Sequence, residues 1–141
     1  MIGILTALIS GALMSIQGVF NTGVTKQTSL WVSTGLVQVT AFLVCVVAWF
    51  FTGRESISSL AQVQPKYLLL GGVIGAFITM TVVKSMDGLG PAKATLLIVI
   101  AQLSVSYLIE LFGLFGVDKA DFSWRKLLGM ALAVIGIIIF Q

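Results

Sequence analysis

ATLLIVIAQLSVSYLIELFGLFGV, residues 94–117, is an apolar and aromatic run that carries a single carboxylate, Glu110. As a helix rising about 1.5 Å per residue it covers about 36 Å, against a bilayer hydrocarbon core of about 30 Å. It therefore reads as a membrane span, with Glu110 inside the half of the bilayer nearer the following connector. An acid near the centre of a spanning helix costs roughly 2.5 to 3.5 kcal/mol on insertion scales. Such a residue faces a partner or a water-filled cavity, and the remaining sequence has to supply one of them.

The rest of the chain has the same character. Of 141 residues 58% are hydrophobic and 9% charged, and the mean hydropathy is +1.11. A soluble domain carries roughly a quarter of its residues as charges, so lipid covers most of this surface. Further apolar runs at residues 2–20, 30–52, 67–83 and 127–140 bring the expected number of spans to five. The last extends back to Trp124 if Arg125 and Lys126 snorkel to the interface. The expected fold is an all-α polytopic membrane protein, one five-helix domain over residues 1–141. The first run has no basic leader and no clear small-residue cleavage site, so it reads as a retained span.

Composition excludes much chemistry. With no histidine there is no histidine triad or relay, and the common zinc sites are absent. Cys45 is the one cysteine, set in an apolar run where it behaves as a small hydrophobe. No Walker loop, complete GxGxxG or CxxC signals a nucleotide or an iron–sulfur cluster. The expectation is no enzyme, no cofactor and no metal. Eight Lys and Arg against five acids lie mostly in the expected connectors, 21–29, 53–66, 84–93 and 118–123, which fits membrane flanks rather than nucleic acid. Aromatics gather near span ends, at Trp31, Trp49 to Phe51, Tyr67 and Trp124, as in interfacial belts.

Alternate connectors share a compartment. Arg54, Lys66, Lys119, Arg125 and Lys126 lie on the side of the N-terminus, against Lys26, Lys84 and Lys93 opposite. The excess favours a cytoplasmic N-terminus, and so small a margin also permits insertion in both orientations.

Small residues mark surfaces where helices can approach closely. Gly71 and Gly75 form GxxxG, Gly129, Ala133 and Gly136 line the fifth run, and Ala7, Gly11, Ser15 and Gly18 make a stripe in the first. They serve packing within the chain or between chains. Polar residues also align at 100 degrees per residue: Gln102, Ser106, Glu110 and Gly113; Ser10, Met14, Gln17 and Asn21; Thr34, Gln38 and Cys45. Intramembrane polar groups seek each other or water. The stripes are thus expected to converge on a pocket bounded by Gln17, Asn21, Gln38, Gln102 and Glu110, with Trp31 and Tyr107 as aromatic walls. Two other readings stay open: a salt bridge from Glu110 to Arg125 or Lys126, and amides that serve only as interhelical hydrogen bonds.

SGALMSIQGVFN (10–21), GGVIGAF (71–77), LGPAKATLLIVIAQLSVSYLIELFGLFG (89–116) and WRKLLGMALAVIGIII (124–139) together resemble the YdcZ family of inner-membrane exporters. That family belongs to the drug/metabolite transporter superfamily, and the resemblance covers nearly the whole chain. Gln17 and Asn21 match the family pattern. Ala101 replaces a usual glycine, and Glu110 stands where an aspartate is common. The resemblance implies a location in the bacterial inner membrane and a half-transporter. Two copies of an odd-span unit in opposite orientations form an inverted repeat, so the chain is expected to pair as an antiparallel homodimer or with a sister protein.

The expected function is secondary export of a small solute, cationic or amphipathic, in exchange for protons. Low dielectric favours a neutral carboxyl, so an acid in a cavity holds a proton when empty and yields it as a cation enters. Glu110 has that role, with Gln102, Gln17, Asn21, Gln38 and Ser106 as hydrogen-bonding groups and Trp31 or Tyr107 as a cation-π wall. The rivals are a non-transporting membrane partner and a passive channel or carrier for neutral or anionic solutes.

Overall fold

The computed structural model describes residues 1–140, and among them every regular element is helical. The long helices are α1 (Ile2–Gln27), α2 (Leu30–Thr52), α3 (Gly71–Leu89), α4 (Pro91–Phe112) and α5 (Trp124–Phe140). Short 3-10 segments occupy Ile57–Gln62, Lys66–Leu70 and Leu114–Gly116. Four stretches are long and apolar enough to cross a membrane: α1, α2, Lys66–Leu89 and α4. α5 has 17 residues, about 25 Å of helix, at the short end of the spanning range.

Several boundaries differ from those read off hydropathy. α1 runs past Phe20 to Gln27, so the first connector is only Thr28 and Ser29; α3 likewise continues to Leu89. Hydropathy marks where apolar residues stop, whereas a helix goes on for as long as its carbonyls find N–H partners. The fourth helix departs most. It begins at Pro91, whose missing N–H is no loss at the first helical position, and it ends at Phe112. Gly113 takes the left-handed conformation at φ 62° and caps it, followed by Phe115 at φ 57° and Gly116 at φ 83°. Glycine at this position is the common helix terminator. Glu110 therefore sits in the last turn of α4, closer to the helix end than an apolar run to residue 117 implied.

The chain divides into two compact units, the first spanning Met1–Asp87 and the second beginning at Gly88. In the first, α1 and α2 form a tight helical hairpin. Thr28 closes α1 by giving its backbone N–H and its hydroxyl to the Val24 carbonyl, at 3.0 and 2.8 Å. Ser29 then caps α2, its Oγ accepting the Val32 N–H at 3.3 Å. The Ser33 hydroxyl crosses to the Asn21 carbonyl at 3.0 Å and sets the register of the two arms.

α3 packs against this hairpin where the side chains are smallest. A Cβ on Gly18 would lie 2.5 Å from Met86 Cε and 2.6 Å from its sulfur, so Met86 fills the space that glycine leaves. A Cβ on Gly75 would lie 3.7 Å from the Gln38 amide nitrogen. Gly75 thus receives a side chain from α2, while a Cβ at Gly71 would meet nothing within 4 Å. Beyond Met86, Lys26 pairs with Asp87 at 3.2 Å.

In the second unit α4 packs on α5. Ala133 is half-buried and Ile137 buried, while a Cβ at Gly129 or Gly136 would enter open space. Few residues are fully buried anywhere, and large apolar side chains from Ile4 to Ile139 are exposed along the helices. That is the surface expected of helices whose outer solvent is lipid.

Gly18→Val should destabilise the protein by about 1 to 3 kcal/mol, the usual range for overpacking, as measured by reversible unfolding in detergent. Combining it with Met86→Ala should recover most of that loss, because the two side chains then stop competing for one space. Gly129→Ala and Gly136→Ala should leave the unfolding of the isolated chain unchanged or slightly raised.

Candidate functional site

The end of α4 is built by its own termination. Because Gly113 turns the chain back, the Glu110 carbonyl accepts two N–H groups, from Gly113 at 3.3 Å and from Ala120 at 2.8 Å. The connector is thus tied to the last turn of α4 before α5 begins. A Cβ at Gly113 would come within 3.3 Å of Lys119 Cβ and 3.4 Å of the Val117 carbonyl. Its positive φ and this close approach together require glycine.

Tyr107, one turn earlier, is 6% exposed. Its hydroxyl accepts the Ser123 N–H at 2.9 Å, and the Ser123 carbonyl accepts the Leu127 N–H at 3.2 Å in the first turn of α5. That arrangement delivers Lys126 to the acid. Its Nζ donates to Glu110 Oε2 at 2.7 Å and lies 5.3 Å from the centre of the Tyr107 ring. The cation over Tyr107 in this chain is therefore its own lysine. Both side chains of the pair remain almost half exposed, 48% for Lys126 and 44% for Glu110, so water or a solute can reach the bridge.

Beside the bridge lies a cavity of about 400 Å³, within the range of small-molecule sites. Leu103, Ser106, Tyr107 and Glu110 line it from α4, and Lys126, Gly129 and Met130 from α5. Its wall is mainly apolar, with one acid, one base, one hydroxyl and one aromatic face. Gly129 contributes bare backbone to the lining. Gln102 lies on the exposed flank of α4 outside this lining.

In the first unit, Ser10, Met14, Gln17 and Asn21 share one open groove on α1 with Leu13, Ile16 and Phe20. Gln17 is exposed and Asn21 half-buried. Trp31 is 69% exposed in the first turn of α2, and Cys45 is exposed. Thr34 is 4% exposed and Gln38 half-buried. The Oγ1 atoms of Thr25 and Thr34 and the Nε2 of Gln38 are buried with no hydrogen-bond partner.

Thr25, Ser123, Ala120 and the Lys26–Asp87 pair escaped the sequence reading. Thr25 continues the Gln17 and Asn21 face by one turn, in the part of α1 that lies beyond the apolar run ending at Phe20. Ser123 and Ala120 act through backbone groups, which leave no trace in residue type. Among the described residues no group of His, Cys, Asp and Glu could hold a metal ion.

Tyr107→Phe should cost about 0.5 to 1.5 kcal/mol, the range for one hydrogen bond, by freeing the Ser123 N–H at the start of α5. Hydrogen exchange should show the loss as faster exchange confined to the first turn of α5.

No curated protein and no solved structure matches the chain. Residues 2–139 match the family described as "Putative inner membrane exporter, YdcZ". With spanning-length apolar helices and a family match over nearly its whole length, this chain belongs to the YdcZ family of inner-membrane exporters.

Proposed function

We propose that the protein is half of a secondary exporter for a small amphipathic solute, and that Glu110 couples export to protons. The observation that carries this reading is the half-exposed Glu110–Lys126 bridge at the edge of a mainly apolar cavity of about 400 Å³. An acid that only pinned two helices would need no such space beside it. In the empty state either Lys126 or a proton neutralises the carboxylate, and only displacement of the proton by a cation releases H⁺. A proton or a cationic solute then competes with Lys126 for Glu110, so occupancy of the cavity and protonation of the acid exclude one another.

The apolar wall from Leu103 and Met130 takes the greasy part of the solute, with Tyr107 as an aromatic face once Lys126 has moved away. Ser106 supplies a hydrogen bond from the α4 wall, and in the first unit Gln17 and Asn21 line a groove of their own on α1. Five helices form one half of an inverted repeat, and an antiparallel second copy or a sister chain completes the carrier. The inner membrane is the location given by the family, with the N-terminus on the cytoplasmic side.

One observation favours a second reading. At 2.7 Å the bridge is short and charge-assisted, as expected if it clamps α4 to α5 permanently in a carrier for neutral solutes.

Proton release from purified protein separates the two. Adding small organic cations to lightly buffered, detergent-solubilised wild type should release protons, and Glu110→Gln should abolish the release. Lys126→Gln should keep it, since a cation then no longer competes with Lys126 for Glu110. A static clamp gives no release from the wild type, and both variants then lose thermal stability together.

A further inference from the structure

Most threonines in these helices follow one habit, and two whose hydroxyl oxygen is buried break it. Thr6, Thr22, Thr40, Thr52, Thr79 and Thr81 each give their hydroxyl to the carbonyl four residues earlier, at 2.8 to 3.1 Å. This is how a helix satisfies a hydroxyl that has nothing else to do. Thr34 is 4% exposed, yet its Oγ1 makes no such bond, and neither does that of Thr25. One turn along the same face of α2 from Thr34, the Gln38 Nε2 is also buried without a partner, over the bare backbone of Gly75. Residues four apart on a helix are neighbours at about 5 to 6 Å between Cβ atoms, so Thr34 and Gln38 form one local pair of unspent groups. Buried polar atoms without partners are rare, and each calls for an explanation.

We propose that Thr34 and Gln38 form a binding site in the first unit for an uncharged oxygen acceptor, the carbonyl or hydroxyl oxygen of a small neutral solute group. The chemistry of the pair selects that class. The amide nitrogen can only donate, and a threonine hydroxyl free of its helix carbonyl can donate as well, so the ligand supplies the lone pairs. A cation is disfavoured because the Gln38 amide nitrogen has no lone pair to give it. Lys26, the nearest base in sequence, is already paired with Asp87, so an anion lacks a counter-charge. Thr25, on the opposite arm of the hairpin, offers a second hydroxyl of the same kind. Gly75 makes room for the Gln38 amide, because a side chain there would begin in contact with it. The inference rests on the exporter reading only for the claim that the bound solute is carried; binding itself does not depend on Glu110.

The test uses four probes of similar shape on purified wild type in detergent: benzamide and benzyl alcohol carry a neutral oxygen, benzylammonium a charge, and toluene neither. Binding is read as the shift in melting temperature across a concentration series. Benzamide and benzyl alcohol should bind about tenfold or more tightly than toluene, the scale expected when a site's donors would otherwise be left unpaired. Thr34→Val and Gln38→Leu should each remove that preference while keeping the toluene response. Equal binding of benzamide and toluene would overturn the proposal. So would Thr34→Val and Gln38→Leu proteins that melt higher and still discriminate as wild type does, since the pair would then be only a packing defect. Proton release by cations, which tests the exporter reading, can succeed or fail with either result.

Discussion

A bilayer offers no hydrogen bonds, and every other feature of this chain follows from that constraint. Backbone groups must be satisfied within each segment, so the apolar stretches are helices and their ends are capped by their own residues or by nearby chain. The end of α4 shows the rule at its most demanding. Gly113 turns the backbone, the Glu110 carbonyl takes N–H groups from Gly113 and Ala120, and Tyr107 takes the N–H of Ser123. The charged bridge between Glu110 and Lys126 is a consequence of that backbone closure, because the closure sets where α5 begins.

The same constraint explains why the polar side chains fall into two kinds. Most helical threonines spend their hydroxyl on the previous turn and become, in effect, apolar. A minority keep their hydrogen-bonding capacity at some cost in stability, as Thr34, Thr25 and Gln38 do. A carrier needs such unspent groups, since a solute leaving water has to find replacements for the hydrogen bonds it loses. The two units thus hold contrasting chemistry: an ion pair beside an apolar cavity in the second, and neutral donors on the inner face of a hairpin in the first.

Close approach of helices is likewise local. The four small residues of the α1 stripe look equivalent on a helical wheel, yet a Cβ at Gly11 would meet nothing within 4 Å, whereas Gly18 has a Met86 side chain folded into it. Gly75 and Gly71 differ in the same way. Glycines that face open space, at 71, 129 and 136, suit a surface that a second chain or lipid covers. In the paired carrier proposed above they are the positions where another helix could come nearest.

How much of this was legible in residue order depends on the range of the interaction concerned. Hydropathy and helical period, which are properties of neighbours along the chain, determined an all-helical membrane fold and the polar faces of α1, α2 and α4. The motifs along the whole chain determined the family, and the two bases beyond the fourth connector already offered Glu110 a partner. Only the tertiary structure decided that Lys126 is that partner and that α4 stops at Phe112. It also decided that Gly18 and Gly75 are the glycines met by a side chain of another long helix, and that Thr34 and Gln38 are left unspent. The physical reason is common to all four. Each depends on where a second segment places an atom within about 3 to 4 Å, the reach of a hydrogen bond or a van der Waals contact. Periodicity along one helix does not carry that information.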